Sequence, residues 1–362
     1  MSIKLDHEDL VIAVTGLKTG DNPQPGVPII RSIRNAGFKG KIVGLIYDNL
    51  ESGVYVDGIA QEVYQMPYPA EGKKAILTRL DYILKKTKID ILIPSLDSEI
   101  IGYIRMEKEL KERGIVTFLP TEEQLKLRDK SRISKTFPSK GIKVPLTEFL
   151  TDIGQVYGLE HKLKFPLFIK GSLYEAYKCN NINEALYYFN VIKNKWGLPI
   201  LAQQQIIGDE FNISLVGDGE GGMLGMIPQR KLIITDKGKG FGGVVVSNPD
   251  IESFAKDVVK ILKWKGPCEL ELMKDYLDNL YLIEINPRFP AWIKLAEGAG
   301  QNLPAMVVKL ALGEDVEPFT EYKTGTIFLR HAEDVISHIN LMGQLATSGE
   351  IIRGDNKNEK EI

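Results

Sequence analysis

The feature that most restricts the fold of this chain is an alternation in its first third, where short apolar runs are followed by stretches of helical spacing. Leu10 to Thr15 (LVIAVT) is an apolar run ending at Gly16. Lys41 to Ile46 (KIVGLI) and Ile89 to Ile93 (IDILI, closed by Pro94) repeat the pattern. Such runs suit strands buried on both faces, as in parallel sheets. Between them, Pro25 to Ala36 carries Val27, Ile30, Ile33 and Arg34 at helical spacing, and Lys73 to Lys86 is helical again. A charged helix over Ser98 to Arg113 then precedes a short strand, Ile115 to Leu119. The alternation predicts a doubly wound, Rossmann-like α/β domain over residues 1–120.

Around Pro120 the texture changes. A basic helix, Thr121 to Lys135, leads into a smaller α+β stretch with a strand at Pro166 to Lys170, a helix at Ile182 to Trp196 and a strand at Pro199 to Gln204. From Glu210 strands dominate, followed by helices near Asp250 to Lys263 and Asn302 to Leu312. The expected organisation is 1–120, then a linker helix and small lobe at 121–205, a large lobe at 206–345, and a polar tail at 346–362 whose last residues fray.

Composition narrows the function classes. A length of 362 residues suffices for two or three packed modules, and a formal net charge of -2 carries no electrostatic signature of nucleic acid or an anionic membrane. No apolar run is long enough to span a bilayer, and the start, Met1 to Asp9, lacks the apolar core of a signal peptide, so the cytosol is expected. Cys179 and Cys268 lie far apart without metal spacing, and the four histidines form no HxxxH pair.

The strongest local signal is CELELMKDYLDNLYLIEINPR, residues 268–288. Its first strand alternates Cys268, Leu270 and Leu272 against Glu269 and Glu271; its second alternates Tyr281, Ile283 and Ile285 against Leu282, Glu284 and Asn286. An antiparallel hairpin pairing Glu271 with Glu284 sets Glu269 opposite Asn286, which gathers three carboxylates and an amide on one face. Like charges opposed across strands are destabilising, and buried carboxylates need a proton or cation. A hard divalent cation fits oxygen ligands, and Mg²⁺ takes its remaining ligands from water and phosphates. Arg288 follows Pro287 beside this site, suited to a phosphate or acyl phosphate. The alternative is an ordinary hairpin with its charges in water.

The string Glu284-Ile285-Asn286-Pro287-Arg288 resembles the metal-binding strand of ATP-grasp enzymes. The resemblance covers nearly the whole chain and implies a Rossmann-like pre-ATP-grasp domain followed by an α+β ATP-grasp fold of two lobes. It implies Glu271, Glu284 and Asn286 as ligands of one or two Mg²⁺ ions, with Mn²⁺ as a substitute. Arg128-Asp129-Lys130 looks like the entry element whose lysine reaches the α-phosphate, and Phe165 to Lys170 like the strand presenting a second nucleotide lysine. Gln203, Gln204, Gln205 and Ile206 match the adenine hinge, and Glu210 the ribose contact. Arg288, Lys170 and Arg230 are the expected catalytic cations. The loop over the phosphates departs from the pattern: it keeps Gly171 and Ser172, the latter as a nucleotide contact, but carries Leu173, Tyr174 and Tyr177.

Substrate candidates come from the first domain and the segment after the hairpin. The loop Thr15 to Gly26, with Gly16 and Lys18, is neither a Walker A loop nor GxGxxG; it is a structural turn or an anion site at a helix start. Asp97 and Glu99 stand at the carboxyl end of a strand, where α/β sheets place ligands. Arg288 and Trp292 complete the set. The resemblance implies an ATP-dependent carboxylate–amine ligase of the carbamoyl-phosphate-synthase-like and biotin-carboxylase-like branch, acting on a small carboxylate and a nucleophile, and suggests a homodimer. An ATP-binding regulatory protein without turnover and, from the first domain alone, a dinucleotide-binding oxidoreductase are the competing classes.

Overall fold

The computed structural model describes residues 3–20, 22–171, 175–234, 240–331 and 333–353. The first unit runs β1 (Val11–Thr15), α1 (Gly26–Asn35), β2 (Lys41–Ile46), β3 (Glu62–Gln65), α2 (Lys73–Leu84), β4 (Ile91–Ile93), α3 (Asp97–Arg105) and α4 (Glu107–Lys111). All five residues of β1 are buried, as its apolar run requires. β1, β2, β3 and β4 pair in parallel in the order β3-β2-β1-β4. Gly16 ends β1 at φ +72°, where an added Cβ would lie 2.3 Å from Ser95 Oγ, so only glycine fits the turn.

The second unit comprises α5 (Glu122–Leu127), α6 (Lys130–Thr136), β5 (Thr147–Leu150), α7 (Leu159–Lys162), β6 (Leu167–Lys170), β7 (Ala176–Cys179), α8 (Ile182–Trp196) and β8 (Ile200–Gln204). Its four antiparallel strands lie in the order β5-β8-β6-β7. Leu150, Leu167, Ile169, Phe189 and Ile192 form a core of its own beneath α8.

The third unit contains β9 (Gly208–Asp218), β10 (Met223–Ile234), β11 (Gly240–Val245), α9 (Pro249–Leu262), β12 (Lys265–Asp275), β13 (Leu280–Asn286), α10 (Lys294–Gly298), α11 (Leu303–Ala311) and β14 (Ile327–Leu329). Its strands form a six-stranded antiparallel sheet in the order β13-β12-β9-β10-β11-β14. Two apolar clusters run from the first sheet into this one: Leu92, Ile100 and Tyr103 share a core with Ile213, Leu270 and Trp264, and Ile12, Ile30 and Ile33 share another with Phe289, Leu303 and Val308.

Several boundaries correct the sequence reading. The end of α12 (Ile339–Ser348) and all of β15 (Glu350–Ile352) fall within the expected polar tail, and β15 pairs antiparallel with β3, so the chain returns to its first sheet. The expected strand Ile115 to Leu119 reduces to a single parallel bridge between Val116 and Ile91. The helix expected over Ser98 to Arg113 is two helices broken at Met106, and that over Thr121 to Lys135 breaks at Arg128 and Asp129. Among the described residues, no helix is long and apolar enough to cross a membrane.

Candidate active site

The site begins with the hairpin β12–β13. Glu271 pairs with Glu284 and Glu269 with Asn286, a register that alternation allows and that opposes like charges. A bulge follows between Glu271 and Leu272, where Leu272 faces Leu282 and Ile283 is skipped. It corrects the expected face of Leu282: both Leu282 and Ile285 enter the core, while Glu284 and Asn286 stay with the carboxylates.

A cavity of about 1240 Å³ lies above this face, lined from all three units. That exceeds the ~300–1,000 Å³ typical of a single small-molecule pocket. Glu271 and Glu284 stand on its floor with Asn286, whose Nδ2 donates to Glu271 Oε1 at 3.1 Å and Glu269 Oε2 at 3.2 Å. Burial, followed by repulsion from Glu269 and Glu284, raises the Glu271 carboxyl to about 8, with Lys231 opposing the shift. This crowding of hard oxygen donors fits a divalent cation held by Glu271, Glu284 and the Asn286 carbonyl. Among the described residues, no group of three or more His, Cys, Asp or Glu is gathered to hold a metal alone, so phosphate oxygens and water would complete the shell.

Cations face these oxygens. Lys130, the first residue of α6, places Nζ 3.5 Å from Glu284 Oε1. Lys170 ends β6 and donates to Gln203 Oε1 at 2.7 Å; burial and the neighbouring charge of Lys130 lower it to about 8. Arg288 bridges Asp97 Oδ2 at 3.0 Å and Glu269 Oε2 at 3.1 Å, tying the first unit to the hairpin. Arg128 reaches the same place, its Nη1 3.3 Å from Ile285 O and 3.6 Å from Asp97 Oδ1. Phe149, Leu201 and Ile283 supply apolar wall nearby, suited to the flat face of a base.

The structure sorts the sequence candidates. Lys18, Asp97, Lys130, Lys170, Glu210, Glu271, Glu284, Asn286, Arg288 and Trp292 line the cavity. Arg230 does not: it is half exposed and ion-paired with Asp209 at 2.7 Å, because strand alternation turns the adjacent Lys231 inward, onto Glu210. Burial disfavours the Lys231 charge, but Glu271 and Glu210 outweigh it and raise its pKa. Glu99 is no substrate contact either. It is fully buried, accepts from Ser95 N at 2.8 Å and Leu96 N at 2.9 Å at the start of α3, and bonds Thr15 and Tyr47. Gly16 shapes the β1 turn beneath the Lys18 loop. Gln203 acts on Lys170 and Thr147, and Gln204 accepts from Leu146 N at 3.3 Å; neither, nor Gln205 or Ile206, is part of the described cavity lining. Ser172 lies outside the described residues, as do Leu173, Tyr174 and 235–239.

Lys231, Arg128 and Arg330 are functional candidates that the reading from sequence passed over. Arg330 follows β14, lines the cavity and donates to Gly240 O at 3.2 Å; burial lowers its pKa. In the structure Lys231 shares its strand face with the fully buried Gln229, two residues before it.

Known proteins resemble this chain in part of its sequence and in its fold. Residues 198–333 match the family model described as ATP-grasp in the biosynthetic pathway with Ter operon. The carbamoyl phosphate synthase large chain of Clostridium beijerinckii is 24% identical over 224 residues, which cover 57% of this chain and 20% of that protein. The chain thus spans about a fifth of that relative. The biotin carboxylase domain dimer of Hydrogenobacter thermophilus 2-oxoglutarate carboxylase, solved with MgADP, ADP and bicarbonate, superposes with a TM-score of 0.69 at 16% identity, over 89% of this chain and 74% of that one. An L-amino acid ligase from Bacillus licheniformis gives 0.64 at 15% identity, over 86% and 76%.

Proposed function

We propose that the chain, which is similar to ATP-grasp enzymes over residues 198–333 and in fold, is an ATP- and Mg²⁺-dependent ligase that activates a small carboxylate as an acyl phosphate for attack by an amine or similar nucleophile. The observation that carries this reading is the juxtaposition, in one cavity, of Glu271, Glu284 and Asn286 with Lys130, Lys170, Lys231 and Arg288.

In this reading the substrate carboxylate oxygen attacks the γ-phosphorus of ATP, the bond to the bridging oxygen breaks, and ADP leaves. The nucleophile then adds to the acyl carbon, phosphate departs, and the proton of the amine passes to solvent. Glu271, Glu284 and Asn286 would hold the ion, which supplies charge neutralisation at the phosphate oxygens. Lys170 binds phosphates from the small lobe and Lys130 from α6, which packs on the shared core, and Arg288, steadied by Asp97 and Glu269, faces the group being transferred. No side chain acts as a covalent nucleophile; alignment and exclusion of water carry the rate. Lys18, Asp97 and Trp292 are proposed substrate contacts on the side of the first unit. A C–N bond as the product, the cytosol as the location, a homodimer as the assembly and Mn²⁺ as a substitute ion belong to the same proposal.

The test is nucleotide product analysis with Mg²⁺-ATP and pools of amino acids, dipeptides and other small acids. ADP that forms only with certain pools, and at least ~100-fold more slowly in Glu284→Gln, is the expected result. AMP as the product, or unchanged turnover in that variant, overturns the reading. Clear ATP binding without product from any pool favours the regulatory alternative.

A further inference from the structure

Glu269 is the carboxylate of the hairpin face to which the proposed chemistry gives no contact with the ion or substrate, only with Arg288, and it is the most completely bonded. It is 5% exposed. Its Oε1 accepts from Asn212 Nδ2 and from Trp292 Nε1, each at 2.9 Å. Its Oε2 accepts from Asn286 Nδ2 at 3.2 Å and from Arg288 Nη1 at 3.1 Å. Four donors thus converge on a group with about four acceptor positions, which leaves no free oxygen for a metal ion.

We infer that Glu269 is a positioning residue that fixes the side-chain amide of Asn286, so that its carbonyl oxygen, and not its nitrogen, is presented to the cation. The inference rests on the metal reading above. An ionised carboxylate only accepts, so Glu269 draws the amide nitrogen of Asn286 towards itself, and Glu271 Oε1, which accepts from the same Nδ2 at 3.1 Å, shares that task. Asn286 is then oriented before any ligand arrives, and a wrong rotamer, offering N–H to a cation, is suppressed. The substitution Glu269→Gln would keep the shape but set an amide among Asn212, Trp292, Asn286 and Arg288, all donors, and leave Glu271 alone to set that direction. Adding Asn286→Asp would reverse the pair: the amide introduced on β12 would donate, the carboxylate introduced on β13 would accept, and an oxygen would again face the ion at unchanged total charge.

The test measures Mn²⁺ binding in the presence of ADP by electron paramagnetic resonance, with folding followed by thermal melting. Wild type is expected to bind Mn²⁺, Glu271→Gln to lose most of that binding, and Glu269→Gln to bind at least ~10-fold more weakly, the scale of groups that orient metal ligands. The double variant Glu269→Gln with Asn286→Asp is expected to regain affinity over Glu269→Gln, which a merely structural role for Glu269 would not produce. Equal affinity in wild type and Glu269→Gln overturns the inference while leaving the metal reading intact. A folded double variant that binds no better than Glu271→Gln overturns it also, and decides the matter even if Glu269→Gln melts too early to measure. Wild type that takes up no Mn²⁺ beyond that carried by free ADP overturns the metal reading and the inference together.

Discussion

At the scale of single residues, the site is governed by two groups poised near pH 8 in opposite senses. Glu271 is raised to about 8 by burial and by Glu269 and Glu284, so below that pH a proton must leave before a metal ion binds. Lys170 is lowered to about 8 by burial and by Lys130, so above that pH it progressively loses the charge that attracts phosphate. Affinity for Mg²⁺-ADP is therefore expected to rise towards pH 8 and fall beyond it, by up to about tenfold per pH unit on each limb. Calorimetric titration from pH 6 to 10 checks this, and a flat profile contradicts it. Lys231 holds the Glu271 shift down, so Lys231→Met is expected to move the rising limb to higher pH and to weaken Mg²⁺-ADP binding about tenfold at pH 7. An unmoved limb would show that Lys231 is not coupled to Glu271.

At the scale of elements, legibility followed locality. The hairpin was readable from its period of two, under which pairing Glu271 with Glu284 sets Glu269 opposite Asn286, and the structure has that register although it opposes like charges. The bulge that turns Leu282 inward was not, since nothing in the run LYLIEIN marks the extra residue. Arg230 and Lys231 are adjacent cations on a strand whose end exposes Leu232, Ile233 and Ile234, so the phase of alternation was obscured there. Glu99 looked available because its partners Thr15 and Tyr47 come from segments distant in sequence. The break between α5 and α6 was invisible in composition, yet it sets Arg128 against Ile285 and Asp97, and Lys130 against Glu284. β15 was hidden by its brevity. Its Ile351 is 2% exposed, and Arg79 and Arg353 bond backbone carbonyls on either side of its pairing with β3. Ile351→Ala is expected to destabilise the protein by about 2 kcal/mol or more, the lower end for a buried isoleucine truncated to alanine. Chemical denaturation measures this; a change under ~0.5 kcal/mol would mean that the returning strand is not part of the cooperative fold.

At the scale of the whole molecule, the first and third units share their cores, whereas the four-stranded unit has its own. The carboxylates and Arg288 therefore stand on the fused body, and Lys170 stands on the lobe with the separate core, with the cavity between them. That division suits a reaction in which phosphates are gripped from one side and the acyl acceptor is aligned from the other. The central claim is that the substrate carboxylate is activated by phosphorylation. Its most direct test is isotope transfer, using an acid that supports ADP formation, labelled with ¹⁸O in its carboxylate, together with Mg²⁺-ATP and the nucleophile. One ¹⁸O per turnover is expected in the released inorganic phosphate, because the carboxylate oxygen that attacks phosphorus departs with it; label in AMP, or phosphate free of label, would contradict the acyl phosphate.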